Sequence, residues 1–241
     1  MSKIIQLLRN NANVPGLIKA VVDGDKADVF LKGVISADWG VGASDLREAF
    51  AQSEGRDVAL RINSPGGDVF EGREMQAVIV GYKGKVTAIV EGIAASAATI
   101  VSMAANQTHM LRGSRYMIHN ASTIAIGTRH DFKAVYDLLT GVDGELAAEY
   151  AKYSGQTEAQ AAAWMDAETW FTADQALESG FVQQVLDNSK AEQVAAQVRA
   201  WNLSAYDNTP KDLLEPPAPA HPDPAAVRAA NQRRLRLLQI D

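Results

Sequence analysis

From about residue 27 onward the chain alternates between two hydrophobic periods. Val58-Ala59-Leu60-Arg61-Ile62-Asn63 and Lys85-Val86-Thr87-Ala88-Ile89-Val90 are short, nearly continuous apolar runs, as expected of strands covered on both faces. Around them the pattern predicts a strand over 27–34, helices over 44–52, about 70–82 and 97–105, and strands near 108–111 and 115–118. The helix over 44–52 is read as opened by a serine cap, with Glu48 in its first turn. Strands alternating with helical stretches point to an α/β fold with a parallel-containing sheet. From Asp131 to Tyr153, Phe132, Val135, Leu138, Leu139, Val142 and Leu146 recur at mixed three- and four-residue spacing, which predicts one long helix. Asp137, Asp143, Glu145 and Glu149 belong to its wet side. A short helix over 157–165, the segment Thr169 to Thr172, a helix over 173–179 and a strand over 181–186 complete the periodic part.

The two ends differ from this middle. Residues 1–24 read as a loosely structured lead-in, interrupted at Asn10-Asn11-Ala12-Asn13 and Pro15-Gly16. After a helix candidate over 190–199, six of the eight prolines fall between 210 and 224. Such a stretch builds neither helix nor sheet ladder and predicts an extended linker. Residues 205–241 are therefore expected outside the folded core. Ala225 to Ile240 is an amphipathic helix candidate made locally basic by Arg228, Arg233, Arg234 and Arg236, either a docking tag for an acidic partner or a disordered tail. The expected division is a lead-in over 1–24, a main domain over 25–189 and a C-terminal extension over 190–241.

Composition narrows the function classes. The 241 residues carry a formal charge of −6, which leaves no basic footprint for nucleic acid. With no cysteine there is no disulfide framework, thiolate metal site or cysteine nucleophile; neither metal nor cofactor is called for. No apolar run approaches the ~20 residues of a membrane span, and the apolar stretch at the start is too short for a signal peptide. The expectation is a cytoplasmic protein, or one packaged inside something made in the cytoplasm.

Gly92-Ile93-Ala94-Ala95-Ser96-Ala97-Ala98 places one hydroxyl inside a run of the smallest residues. A serine at a strand-to-helix turn lies beside free backbone N–H groups at the positive end of the helix, and small neighbours allow close backbone approach. That suits a nucleophile; it also suits an ordinary helix cap. Two further segments bear on the choice: Ser64-Pro65-Gly66-Gly67-Asp68-Val69 upstream and Tyr116-Met117-Ile118-His119-Asn120 downstream. Together and in this order, the three resemble the ClpP family of serine proteases, with its SPGG turn, its G-x-A-A-S-x nucleophile turn and its M-I-H segment. The resemblance spans about residues 25–187.

The resemblance implies a ClpP/crotonase-like fold of repeated β-β-α units, with the long helix as a protruding handle through which rings stack. Ser96 would be the nucleophile. Of the four histidines, His221 lies in the proline linker, His130 begins an exposed helix and His109 has no motif around it. His119, at the end of a buried strand, is the general-base candidate. By resemblance, the N–H groups of Gly67 and Ala97 would form the oxyanion hole, and the separation of 29 positions from Gly67 to Ser96 matches the family spacing. Asp68 should face away from that site or cap the following helix.

The family's triad aspartate has no identical counterpart. Anchored on Thr172-Ala173-Asp174-Gln175-Ala176 and Gly180, the matching position is Glu168, with Asp166 two residues earlier as the alternative. The leading expectation is a self-assembling serine endopeptidase acting on polypeptides. The lack of a match to the axial loops that dock an ATPase, together with the proline linker and basic tail, resembles the ClpP-related head maturation proteases of phages and prophages, whose substrates are scaffold and capsid proteins. Two alternatives stay open: a degenerate scaffold subunit and a crotonase-type acyl-CoA enzyme.

Overall fold

The computed structural model describes residues 3–187 and 191–214. Its frame is one sheet. A hairpin of β1 (Leu17–Asp23) and β2 (Lys26–Lys32) feeds a parallel series of β3 (Asp57–Ser64), β4 (Val86–Ala95), β5 (Gln107–Leu111) and finally β8 (Gln184–Leu186). The sheet forks at β4. Its first half pairs with β5 through Thr87–Val90, and its second half pairs with β6 (Arg115–Ile118) through Ile93–Ala95. β6 in turn pairs antiparallel with β7 (Thr169–Thr172). The fork carries β4 and β6 away from the main sheet toward the turns that hold Ser96 and His119.

Successive strand residues point to opposite faces, and at the fork both faces are buried. Ala94, Tyr116 and Ile118 belong to the main core, with α2 (Ala43–Gln52), α3 (Val69–Val80), α4 (Ala97–Met103) and the inner half of α5 (Arg129–Ser154). Ile93, Ala95 and Met117 face a second core built from Leu7, Val198, Trp201, Leu203, Tyr206 and Leu213. That second core corrects two expectations from sequence.

The first correction concerns residues 1–24, which are not a loose lead-in. They hold α1 (Lys3–Asn10), with Leu7 buried, and β1, paired along its whole length with β2. The breakers at 10–16 end the helix; they do not prevent it.

The second correction concerns residues 205–214, which lie inside the fold. Ala205, Tyr206 and Leu213 are buried, and α8 (Ala191–Arg199) and α9 (Lys211–Leu214) flank them. Asn11 clasps the two ends: its side chain donates to Asn202 O at 3.0 Å and accepts from Asn202 N–H at 2.8 Å. Trp201 Nε1–H donates to Asn63 Oδ1 on β3 at 2.9 Å. The amphipathic tail candidate over 225–240 and His221 lie outside the described residues.

Smaller differences have local causes. α2 starts one residue earlier than expected. Gly42 N–H donates to Asp45 and Glu71 of α3 receives the Ala43 N–H, so the cap comes partly from a distant chain segment. Thr157 caps α6 (Glu158–Asp166) as expected, accepting from Gln160 N–H at 3.1 Å. The long helix is 26 residues, or about 39 Å at 1.5 Å per residue. Only its inner half is buried, through Leu146, Ala147, Tyr150 and Ala151, whereas Phe132, Tyr136 and Leu138 stand exposed on its outer half. A six-residue α7 (Ala173–Glu178) closes against β7.

Candidate active site

β4 ends at Ala95 and α4 begins at Ala97, so Ser96 alone makes the turn. Its backbone sits at φ 54°, ψ −124°, a sparsely populated conformation for a residue with a Cβ. The surroundings hold it there. Ser96 N–H donates to Met117 O of β6 at 2.8 Å, and Ala95, Ala97 and Ala98 are fully packed. Glycine at 66 is a steric requirement, since a Cβ there would lie 2.8 Å from Ser96 Cβ and 2.4 Å from Ala95 O. The Ser96 side chain caps nothing. Its Oγ lies 2.7 Å from His119 Nε2. The helix-cap reading of Ser96 therefore falls, because the hydroxyl is aimed at an imidazole.

The Gly66-Gly67 turn faces the same cleft. Ile35 N–H donates to Gly66 O and Asp68 N–H donates to Ile35 O. Gly66 O and Gly67 N–H lie on opposite sides of one trans peptide, so with Gly66 O held by Ile35 the Gly67 N–H is turned away from Ile35. A Cβ on Gly67 would overlap Ile35 O at 2.0 Å, so only glycine permits this approach. Asp68 does as expected and caps α3, accepting from Phe70 N–H at 2.8 Å and Glu71 N–H at 3.1 Å.

His119 follows the last residue of β6. The loop after it is pinned, with Asn120 Nδ2 donating to Asp166 at 2.7 Å and Ala121 N–H donating to Asp143 at 2.7 Å. Burial raises the Asp143 carboxyl above its usual range, the Ala121 bond opposing it and Asp166 adding to it. The β6–β7 register ends with Ile118 paired to Thr169, so His119 and Glu168 each lie one residue beyond the last pair. Glu168 is buried, at 5% exposure, with a left-handed φ of 46°. Asp166 is exposed and already engaged by Asn120.

Sequence reasoning missed the C-terminal contribution. Glu168 accepts Asn208 N–H at 2.7 Å and Asp207 N–H at 3.1 Å. The Tyr206 ring meets His119 edge-on, with centroids 5.3 Å apart, and also meets Trp170 at 5.7 Å. The Tyr206 hydroxyl donates to Pro65 O of the SPGG turn. Burial, then the charge of Glu168, pushes the Tyr206 phenol well up, with the Ser96 hydroxyl opposing; it remains a donor. The signal available in sequence was Val194, Val198, Trp201 and Leu203, four apolar residues leading into Tyr206.

The remaining histidines are elsewhere. His109 lies on β5, its imidazole held below the usual range by burial and then by Lys85. His130 is exposed at the start of α5. Ser96, His119, Gly67, Ala97 and Tyr206 line one cleft of about 170 Å³, whose apolar wall includes Phe70, Ile100 and Leu139. Among the described residues no cluster of His, Asp and Glu is arranged to hold a metal ion, and no helix is long and apolar enough to cross a membrane.

Comparison with known proteins agrees with this geometry. The family model described as Clp protease matches residues 29–189. The ATP-dependent Clp protease proteolytic subunit 2 of Rhodococcus jostii is 33% identical over 141 residues, 58% of this chain and 72% of that protein. Its counterpart in Thermobifida fusca is also 33% identical over 141 residues, covering 70% of that protein. A solved mutant of ClpP1 from Listeria monocytogenes superposes with a TM-score of 0.60 at 22% identity, covering 68% of this chain and 93% of that one, a likeness of fold. The SPGG turn, Ser96 and His119 all fall inside the matched span, and the chain belongs to the Clp protease family of serine-type peptidases.

Proposed function

We propose that the protein is a serine endopeptidase in which Ser96, His119 and Glu168 form the catalytic triad. The observation that carries this is the 2.7 Å contact between Ser96 Oγ and His119 Nε2 at a strained turn whose serine caps nothing. A bound peptide places its carbonyl carbon against Ser96 Oγ. His119 takes the hydroxyl proton as the C–O bond forms, then gives it to the leaving amine. Glu168 holds the imidazole tautomer and stabilises the imidazolium. Gly67 N–H and Ala97 N–H donate to the carbonyl oxygen as it gains charge, and such preorganised donors are worth most in the transition state. Water repeats the sequence to release the acyl group. No step consumes a cofactor.

The same reading covers assembly and substrate. The exposed Phe132, Tyr136 and Leu138 on the outer half of α5 support a homo-oligomeric ring that buries the handle against further copies, with a sequestered chamber protecting cytoplasmic proteins. The extension beyond residue 189 and the resemblance to head maturation proteases support phage scaffold or capsid proteins as the polypeptide substrate.

A fluorophosphonate probe tests the chemistry. It should label wild-type protein on Ser96 alone, and His119→Ala should remove the labelling while the assembly persists. An intact oligomer that takes no label would establish the scaffold reading. Binding of an acyl-CoA ester by unlabelled protein would establish crotonase-type chemistry.

A further inference from the structure

We infer that the C-terminal segment over 200–214, which lies beyond the matched span of the family, is a built part of the active site, with Tyr206 a positioning residue for catalysis. This rests on the triad reading above and adds to it a chain segment that neither the family match nor the motifs assign. These contacts converge from three consecutive residues. The Tyr206 hydroxyl holds Pro65 O, one residue before the Gly66-Gly67 turn that presents the oxyanion donor. The Tyr206 ring stands against the His119 ring. The next two backbone N–H groups, of Asp207 and Asn208, fall on the Glu168 carboxylate. One short segment thus touches the oxyanion turn, the base and the acid.

A loose tail would not be held this way. Asn208 Nδ2 also donates to Ala167 O at 2.9 Å, and Thr209 Oγ1 donates to Leu203 O at 3.0 Å, closing the segment on itself. Arg115 of β6 pairs with Asp212 at 3.1 Å, and Leu213 is buried. Glu168 explains why the segment is needed. A buried polar group is costly unless it is hydrogen-bonded, and two of the Glu168 donors come from 207 and 208. Its left-handed backbone persists only where neighbours fix it.

The consequence is specific to turnover. Tyr206→Phe keeps the ring, its contact with His119 and nearly all the buried area, and removes the hydroxyl that bonds Pro65 O and lies beside the Ser96 hydroxyl. Freed of it, the Gly66-Gly67 turn samples positions off the developing oxyanion, and small misplacements there are costly in rate. Fluorogenic-peptide kinetics on the full chain should show kcat lowered by about tenfold or more, below the ~10²-fold or greater loss expected for deleting an oxyanion donor outright. KM should stay within about twofold, the pattern of a lost transition-state interaction. A purely structural role would lower the melting temperature and leave kcat per folded molecule alone.

Truncation after Ser204 removes Tyr206, Asp207 and Asn208 together and should abolish probe labelling. Truncation after Leu214 should leave labelling and kcat as in the wild type. Wild-type kcat in Tyr206→Phe, or full labelling of the shorter truncation, would overturn this inference while leaving the triad intact. Failure of the wild-type protein itself to label would instead overturn the triad reading.

Discussion

Ser96→Ala should remove peptide hydrolysis to background, and His119→Ala should do nearly the same. The change at Ser96 is a deletion of Oγ alone: the Cβ, the φ of 54° and the N–H bond to Met117 O all persist, and no cap bond is lost. The folded state should therefore be retained with its melting temperature nearly unchanged. His119→Ala also loses the edge-on contact with Tyr206, of the order of 1 kcal/mol for an aromatic pair, so a small stability cost is expected beside the loss of rate. General-base assistance is worth about 10²–10⁴-fold, and nucleophile and base act as a unit, so the double variant should be scarcely slower than either single one. Steady-state turnover of a fluorogenic peptide measures all three. A His119→Ala protein with more than about a tenth of wild-type kcat would remove His119 from the base role, given that ~10²-fold floor.

The parts of the fold and site legible in the sequence were the ones encoded locally. β3 and β4 announce themselves as nearly continuous Val, Ile, Ala and Leu runs because both of their faces are covered. The turn at Ser96 was legible because a strand, a small-residue turn and a helix follow one another within a dozen residues. What escaped was encoded at a distance. α1 is only eight residues long, and its Leu7 is buried in a cluster drawn largely from residues 198–213, far along the chain. Tyr206 sits 141 residues from the Pro65 carbonyl it bonds, and its proline-rich context spoke for a tether. The choice between Glu168 and Asp166 turns on a strand register, which no spacing in the sequence specifies; the pairing of Ile118 with Thr169 supports Glu168 as the carboxylate nearer to His119.

That register carries the second large effect. Glu168→Gln should lower kcat by roughly 10³-fold or more, the scale seen when a triad acid is replaced by its amide and the imidazole tautomer is lost. Asp166→Asn, at an exposed residue whose described partner is the Asn120 amide, should cost less than about tenfold, since surface hydrogen bonds are individually weak. The Gln substitution has a second consequence at the same atoms. The Glu168 oxygens face the N–H groups of Asp207 and Asn208, and an amide must turn its own NH₂ toward one of them, donor against donor. Some loss of stability should therefore accompany the loss of rate, and the pH dependence of kcat separates the two. A protein that is merely less stable keeps the wild-type profile per folded molecule. A protein without its orienting carboxylate stays slow per folded molecule and departs from that profile, because the imidazolium formed during attack has lost the charge that steadied it. Asp166→Asn proving the more damaging change would move the acid two residues toward α6 and would deny the β6–β7 pairing its part in catalysis. Small and equal losses from both would leave Ser96 and His119 working as a pair.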